Sequence, residues 1–462
     1  MAPNVLLIVL DTARADAFEP YGAASGASPA VADLARSGRA LPDVRSSACW
    51  TVPSHASMFT GLLPRAAGLS RAPGGMPAGC RPVMESHRDR LLPEVLRRAG
   101  YRTRGISTNL WITEDSGFAT GFDDFRTVDA TRQPEMVGTR LRSRAAWALD
   151  ALRARSDDGA EEAGRILRGW LRERDERPSF WFVNLIEAHS PYLPPRPWND
   201  LGGLDRLRAA AEARRHLTLG EIWRACVGEL DVPDAALERM RHLYARSIRQ
   251  LDDWLGAVLE DVDLDETLVL VCSDHGENLG EGGLIGHAYS LDDRLTRVPF
   301  VAAGPGAPEA MLSLVELPRA VVAAAGIDYH PWTDPLPGAA VAQFSAPVDR
   351  GNARIRDVGA GHWGLDEDAL VRLATSFECA ADGALKLIRT DDGRLELVDL
   401  EADPLEVAPR AVEPAAAPPH LLAALDHPAA RAQAAPAGRA PVDASPEELE
   451  RIEDKMRTLG YL

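Results

Sequence analysis

The sequence is short of cysteine, has no excess of basic charge and contains no apolar run long enough to cross a bilayer. Cys49, Cys80, Cys226, Cys272 and Cys379 are odd in number, widely spaced and without a C-x-x-C. That pattern argues against a disulfide framework or a thiolate zinc site, and for reduced thiols in a cytoplasm. A formal charge of -18 and a pI near 5.1 argue against nucleic acid or an anionic membrane as partner, since both repel an acidic surface. The first apolar run, Asn4 to Leu10, lacks a basic leader, is too short for a bilayer and ends in Asp11, so it reads as a strand and not as a signal. What is present is a chain of 462 residues, 45% hydrophobic and 26% charged, enough for a large core and more than one domain.

Residues 4 to 10 form a continuous β-branched run, the pattern of a strand buried on both faces of a parallel sheet, whose chemistry collects at the carboxyl end. Asp11 at that end reads as a helix cap, a turn former or a metal ligand. Pro29 to Gly38 predicts a short helix. In Cys49 to Gly61 a polar turn runs into an apolar segment, and Pro53 suits the first turn of a helix. Thr51 just before it is either an N-cap or a hydroxyl offered at an anion site.

Leu92 to Gly100 predicts a helix and Tyr101 to Ser107 a strand, an α/β alternation. Residues from about 130 to 235 read as a peripheral helical insertion whose charge runs are solvated faces. Within them, Phe180 to Ile186 is a second fully apolar strand that exits at His189. Tyr244 to Glu260 predicts a helix with Leu251, Leu255 and Val258 on one face, and Asp252 and Asp253 as surface or interhelix groups.

Thr267 to Cys272 is the third buried strand, followed by Ser273-Asp274-His275-Gly276-Glu277 and then Gly286-His287. An Asp-His pair at a strand exit offers adjacent oxygen and imidazole ligands for a divalent cation, a reading preferred here to a structural one. A further helix is expected from Leu314 to Ala325. Beyond 340, Ala384 to Arg389 and Leu395 to Leu400 flank an Asp-Gly turn and predict an antiparallel hairpin. Residues 413 to 443 are Ala/Pro-rich and read as a loosely ordered connector, and Ser445-Pro446-Glu447-Glu448 as the start of a last helix.

Taken in order, Asp11; Thr51-Val52-Pro53-Ser54-His55 with Thr60-Gly61; His189-Ser190-Pro191; Ser273 to Glu277 with Gly286-His287; Leu397 to Glu406; and Leu459 to Leu462 resemble the sulfatase branch of the alkaline-phosphatase superfamily. The resemblance implies an α/β fold with a mixed, mostly parallel sheet sandwiched by helices, and a smaller C-terminal α+β unit carrying an antiparallel sheet. Boundaries follow as 1–335 for the catalytic domain with its insertion at about 130–235, 336–412 for the smaller unit, 413–443 for the connector and 444–462 for the last helix.

The chain departs from the family pattern at four points. The family makes formylglycine from Cys or Ser at the position of Thr51, which threonine cannot become, and Cys49 is out of register. The Arg of the family motif is His55, the G-K-W-H segment reads Gly105-Ile106-Ser107-Thr108-Asn109, and the second Asp is Thr12. A Thr nucleophile is similar to that of the family's phospho-transferring relatives. Hydrated formylglycine expels sulfate by elimination, whereas a Thr ester must be cleared by direct attack at the central atom.

The implied function is therefore a metal-dependent hydrolase or transferase that cleaves phosphate- or phosphonate-type esters of a small anionic substrate through a covalent Thr51 ester. Asp11, Asp274 and His275 would hold one divalent cation, Mn or Zn first and Ca next, with Thr51 completing the site and Thr12 as a further candidate. His55, His189 and His287 would supply donors to the anionic oxygens and the general acid, and Asn109 would stand where the missing Lys and His contacts lie. The alternatives are a sulfatase that works without formylglycine, and an inactive sulfatase-fold binding protein.

Overall fold

The computed structural model of the chain describes residues 2–73, 77–128, 149, 151–155, 157–173, 175–287, 289–346 and 365–434. Its centre is a seven-stranded sheet of β1 (Asn4–Leu10), β2 (Arg39–Ala40), β3 (Arg102–Ser107), β4 (Asp124–Thr127), β5 (Ser179–Leu185), β6 (Thr267–Cys272) and β7 (Phe300–Ala303). The order across the sheet is β2-β7-β6-β1-β5-β3-β4. The run from β6 to β4 is parallel, whereas β7 lies antiparallel to β6 and β2 antiparallel to β7.

β1 pairs with β5 on one side (Val5 opposite Phe180) and with β6 on the other (Val5 opposite Leu268), so the three strands read as most apolar lie side by side. Their period of two splits the core. Val5, Leu7 and Val9 enter one cluster, with Val52 and Phe59 of α2 (Thr51–Thr60), Leu96 of α3 (Leu92–Arg98) and Val321. Leu6, Ile8 and Leu10 enter the other, with Leu34 of α1 (Pro29–Ser37), Leu167 of α4 (Ala160–Leu171), and Leu251, Leu255 and Val258. Polar groups are confined to where these strands end.

The stretch expected as a helical insertion from 130 to 235 holds α4, α5 (Gly203–His216) and α6 (Leu219–Cys226), with β5 between α4 and α5, so it contributes a central strand as well as outer helices. Residues 129–148 of it lie outside the described residues. In α7 (Asp234–Leu259), Asp252 proves to be an interhelix group. It is buried, and its carboxylate accepts the N–H groups of Ala30 at 3.1 Å and Val31 at 2.9 Å, at the start of α1. It thereby satisfies donors that Ser28 leaves unbonded in the first turn.

The C-terminal unit is a five-stranded antiparallel sheet of β8 (Ala340–Phe344), β9 (Phe377–Ala381), β10 (Leu385–Thr390), β11 (Leu395–Asp399) and β12 (Arg410–Val412). The expected hairpin is β10–β11, with Gly393 supplying the positive φ of 90° that its turn requires. The Ala/Pro-rich segment from 413 is not loose as far as it is described. Pro419–Asp426 is a helix, α8, started by its proline, and it buries Leu421 and Leu425 against Val341, Ala380 and Leu387 of the sheet. The expected last helix, 444–462, lies outside the described residues.

A buried ion cluster ties the two units together. Lys386 of β10 is fully buried and donates to Leu291 O at 2.8 Å and to both oxygens of Glu406, at 2.9 and 2.8 Å. Its Nζ also lies 2.6 Å from Asp293, which Arg45 grips through Nη1 and Nη2 at 2.5 and 3.0 Å. Glu406 is the last residue of the Leu397 to Glu406 motif, and it accepts the Asp293 N–H on the segment that follows His287.

Candidate active site

Each chemical group stands at the carboxyl end of a parallel strand, where the apolar run stops and the chain turns. Asp11 follows β1, Asn109 follows β3, His189 follows β5, and Asp274 and His275 follow β6. Thr51 opens α2, which packs beneath these ends. It is not the cap of that helix: Trp50 holds the cap position, no side chain caps the helix, and Thr51 is its first residue. The hydroxyl is left for other use, with Oγ1 3.4 Å from His275 Nε2.

Asp11, Asp274 and His275 are completely buried, and they present one ligand atom each within 4.8 Å of one another. His275 Nε2 is 3.4 Å from Asp274 Oδ2 and 4.0 Å from Asp11 Oδ1. Both of these carboxylate oxygens are buried without a hydrogen-bond partner among the described residues. The His275 Nδ1–H donates to Gly276 O at 2.9 Å, which leaves the Nε2 lone pair aimed into the cluster.

The electrostatics are those of a site built for positive charge. Burial, and then the Asp274 carboxylate, push Asp11 well above the ordinary carboxylate range. Burial also pushes Asp274 up, but His275, His55 and the Thr12 N–H outweigh it and hold it down at about 2. His275 is pushed down to about 4, first by burial, and is neutral near pH 7. Two buried carboxylates, a neutral imidazole lone pair and a hydroxyl are an oxygen-rich mixed donor set, and the two unsatisfied oxygens fit a divalent cation.

A family model described as Sulfatase matches residues 3–327. The chain belongs to the sulfatase family. Sulfatases generally hold a divalent cation, in keeping with the buried cluster. Among characterised relatives, a choline-sulfatase of Rhizobium meliloti is 27% identical over 452 residues, covering 87% of this chain and 81% of its own length. Phosphonate monoester hydrolases share the fold. That of Agrobacterium radiobacter superposes with a TM-score of 0.58 at 19% identity, covering 88% of this chain and 91% of its own. That of Silicibacter pomeroyi gives 0.60 at 18%, covering 89% and 92%.

Within this sulfatase-family site, several expected residues take unexpected positions. Thr12 turns with a φ of 58°, uncommon for a branched side chain. That turn sends its N–H to Asp274 Oδ1 at 3.2 Å and its hydroxyl to Asp11 O at 2.7 Å, so the backbone group supports the Asp274 carboxylate while the side chain is spent nearby. Asn109 does not face an open space. Its Nδ2 donates to Asp11 Oδ2 at 2.6 Å, and its Oδ1 accepts Trp111 N–H at 2.7 Å, so it orients Asp11. His55, expected as a donor to substrate, lies behind the cluster. Its Nδ1 is 3.0 Å from Thr51 O and 3.3 Å from Asp274 Oδ2, and its ring meets Phe118 and Phe182 edge-on.

His189, His287 and His275 form a row of imidazoles, with 4.8 Å between the ring centres of each neighbouring pair. Burial pushes His189 down to about 4, with His287 adding to the effect. Glu277, quoted in the motif but assigned no role from sequence, lies fully buried with Oε1 3.3 Å from His287 Nδ1. Also unforeseen is Ser54 of α2, whose hydroxyl donates to Asp274 O at 2.7 Å and pins α2 to the loop that follows β6. Tyr244, which donates to Thr12 O at 2.9 Å and accepts Arg14 N–H at 2.8 Å, comes from the distant α7 and carries no local motif. Among the described residues no helix is long and apolar enough to cross a membrane, and all five cysteines are free.

Proposed function

We propose that this sulfatase-family enzyme hydrolyses phosphate- or phosphonate-type esters through a covalent ester on Thr51. The observation that carries the reading is the Thr51 hydroxyl, uncapped at the first residue of α2 and 3.4 Å from His275 Nε2, on a residue that cannot become formylglycine. Asp11, Asp274 and His275 would hold a divalent cation, which would supply positive charge beside that hydroxyl and the ester oxygens.

Thr51 Oγ1 attacks phosphorus in line with the leaving oxygen, giving up its proton to water as the bond to the leaving group breaks. The leaving oxygen takes a proton from His287. That residue is favoured over His189 because the buried Glu277 carboxylate lies 3.3 Å from its Nδ1 and fixes the ring, whereas burial pushes His189 down to about 4. Water then attacks the phosphorus of the Thr51 ester, the bond to Oγ1 breaks, Thr51 regains a proton and the phosphate or phosphonate departs. Asn109 and the Thr12 N–H keep Asp11 and Asp274 in place throughout. His55 acts from behind as a positioning residue for Asp274.

A second reading, hydrolysis of a sulfate ester at the same residues, is supported by the 27% identity to the choline-sulfatase over most of this chain. Parallel assays of an aryl sulfate, a phosphate monoester, a phosphate diester and a phosphonate monoester, with Mn, Zn or Ca added, separate the two. We expect a phosphorus ester to turn over fastest, and Thr51→Ala to lower that rate by about a thousandfold or more. Sulfate turnover above every phosphorus ester would instead establish the second reading.

A further inference from the structure

We infer that the seam between the catalytic unit and the C-terminal sheet holds a second, noncatalytic site for a free oxyanion of the size of phosphate or sulfate. The seam contains a cavity of about 690 Å³ between the Arg65–Arg71 segment, the edge of β9 and β10, and the chain around Arg431. Its wall carries Arg65, Arg71, Arg389 and Arg431 against the carboxylates of Glu378 and Asp391, a local positive excess in a chain of net charge -18.

Part of that charge is structural. Arg65 Nη1 bonds one oxygen of the buried Glu378 at 2.6 Å and Arg389 Nε the other at 2.8 Å. Arg389 is further committed to Asp426 at 2.7 Å and to Leu425 O at 2.8 Å, so it forms the floor and has little left to offer. The remainder is only partly neutralised. Arg431 Nη1 pairs with Glu378 at 3.8 Å, too long for a hydrogen bond, Arg71 makes no ion pair among the described residues, and Arg65 reaches Glu378 through Nη1 alone.

Three guanidinium groups with spare N–H donors therefore converge on one cavity, and Ser70 and Ser345 add hydroxyls to its wall. Planar forks of this kind match the oxygens of a tetrahedral anion better than a single carboxylate does. The acidic surface around the cavity selects a small anion over a polyanion, which the net charge repels. The anion released by the catalytic site is of the class this cavity fits.

The site does not depend on Thr51, so its test is separate from that of the catalytic reading. Inorganic phosphate is titrated calorimetrically into the full chain, into Thr51→Ala and into Arg71→Ala/Arg431→Ala, and crystals of the full chain are soaked in tungstate. We expect tungstate within hydrogen-bond reach of Arg65, Arg71 and Arg431. We also expect a phosphate-binding event that persists in Thr51→Ala and weakens at least tenfold in the double variant, which keeps its thermal melt and its turnover of a small ester. A cavity without tungstate, or an unchanged phosphate titration in the double variant, overturns the inference.

Discussion

Substituting Lys386→Met should cost the protein about 3–5 kcal/mol, because it removes one partner of a buried ion cluster and leaves the others in place. The ammonium is fully buried and makes contacts of 2.6 to 2.9 Å with Asp293, Glu406 and Leu291 O. Asp293 would keep Arg45, but the Glu406 side chain, 2% exposed, would lose the cation that neutralises it. Glu406→Gln keeps an acceptor for the Asp293 N–H and leaves Lys386 paired with Asp293, so its cost should be smaller, about 1–2 kcal/mol. Joined to Lys386→Met it removes the stranded charge, and the double variant should be more stable than the sum of the singles by about 2 kcal/mol. Urea unfolding of the four proteins measures that coupling. Turnover should fall with Lys386→Met as well, since Lys386 anchors Leu291 on the segment running from His287. A loss below about 1 kcal/mol for Lys386→Met, or strict additivity in the double variant, would refute the reasoning.

Other consequences follow from single contacts. Asn109→Ala removes the 2.6 Å bond that orients Asp11 and should weaken metal binding by about 10–100-fold in a metal titration, with the fold retained by circular dichroism. Asp252→Ala strips two N–H acceptors from the first turn of α1 and should cost about 1–2 kcal/mol in urea unfolding, whereas Asp253→Ala on the exposed face should cost far less. Burial pushes Asp293 up, yet Lys386 and Arg45 outweigh it and hold the carboxyl far below its ordinary range. Its stabilisation is therefore complete above the unfolded value of about 3.9 and is lost as pH falls through the folded value. Urea midpoints should drop as pH falls below about 4, and Asp293→Asn should flatten that slope.

The parts of the fold legible in the sequence were those written in short-range pattern. β1, β5 and β6 were readable because strands buried on both faces need unbroken apolar runs, and the site was readable because its polar residues stand where those runs stop. Depth was not legible. The spacing of Thr51 and His55 puts both on one side of α2, but only the packing of Phe118 and Phe182 decides that His55 faces inward. Asp252 and Tyr244 act on residues more than two hundred positions away, a distance that no local motif spans. The segment from 413 resembles a linker in its alanine and proline content, while the spacing of Leu421 and Leu425 on α8 is that of a buried helix face. Glu277 carries no role in the sequence because a carboxylate beside an Asp-His pair has several uses, and its partner His287 shows only in the fold.

The central claim is that Thr51 carries the ester's acid group in the course of the reaction. Acid-quenching the full enzyme during turnover of its best phosphorus ester, followed by peptide mapping, tests it most directly. The account predicts a phosphoryl or phosphonyl group on Thr51 that forms and decays at the rate of turnover, and that is absent from Thr51→Ala. Full turnover with Thr51 unmodified at every time point, or by Thr51→Ala itself, would contradict it.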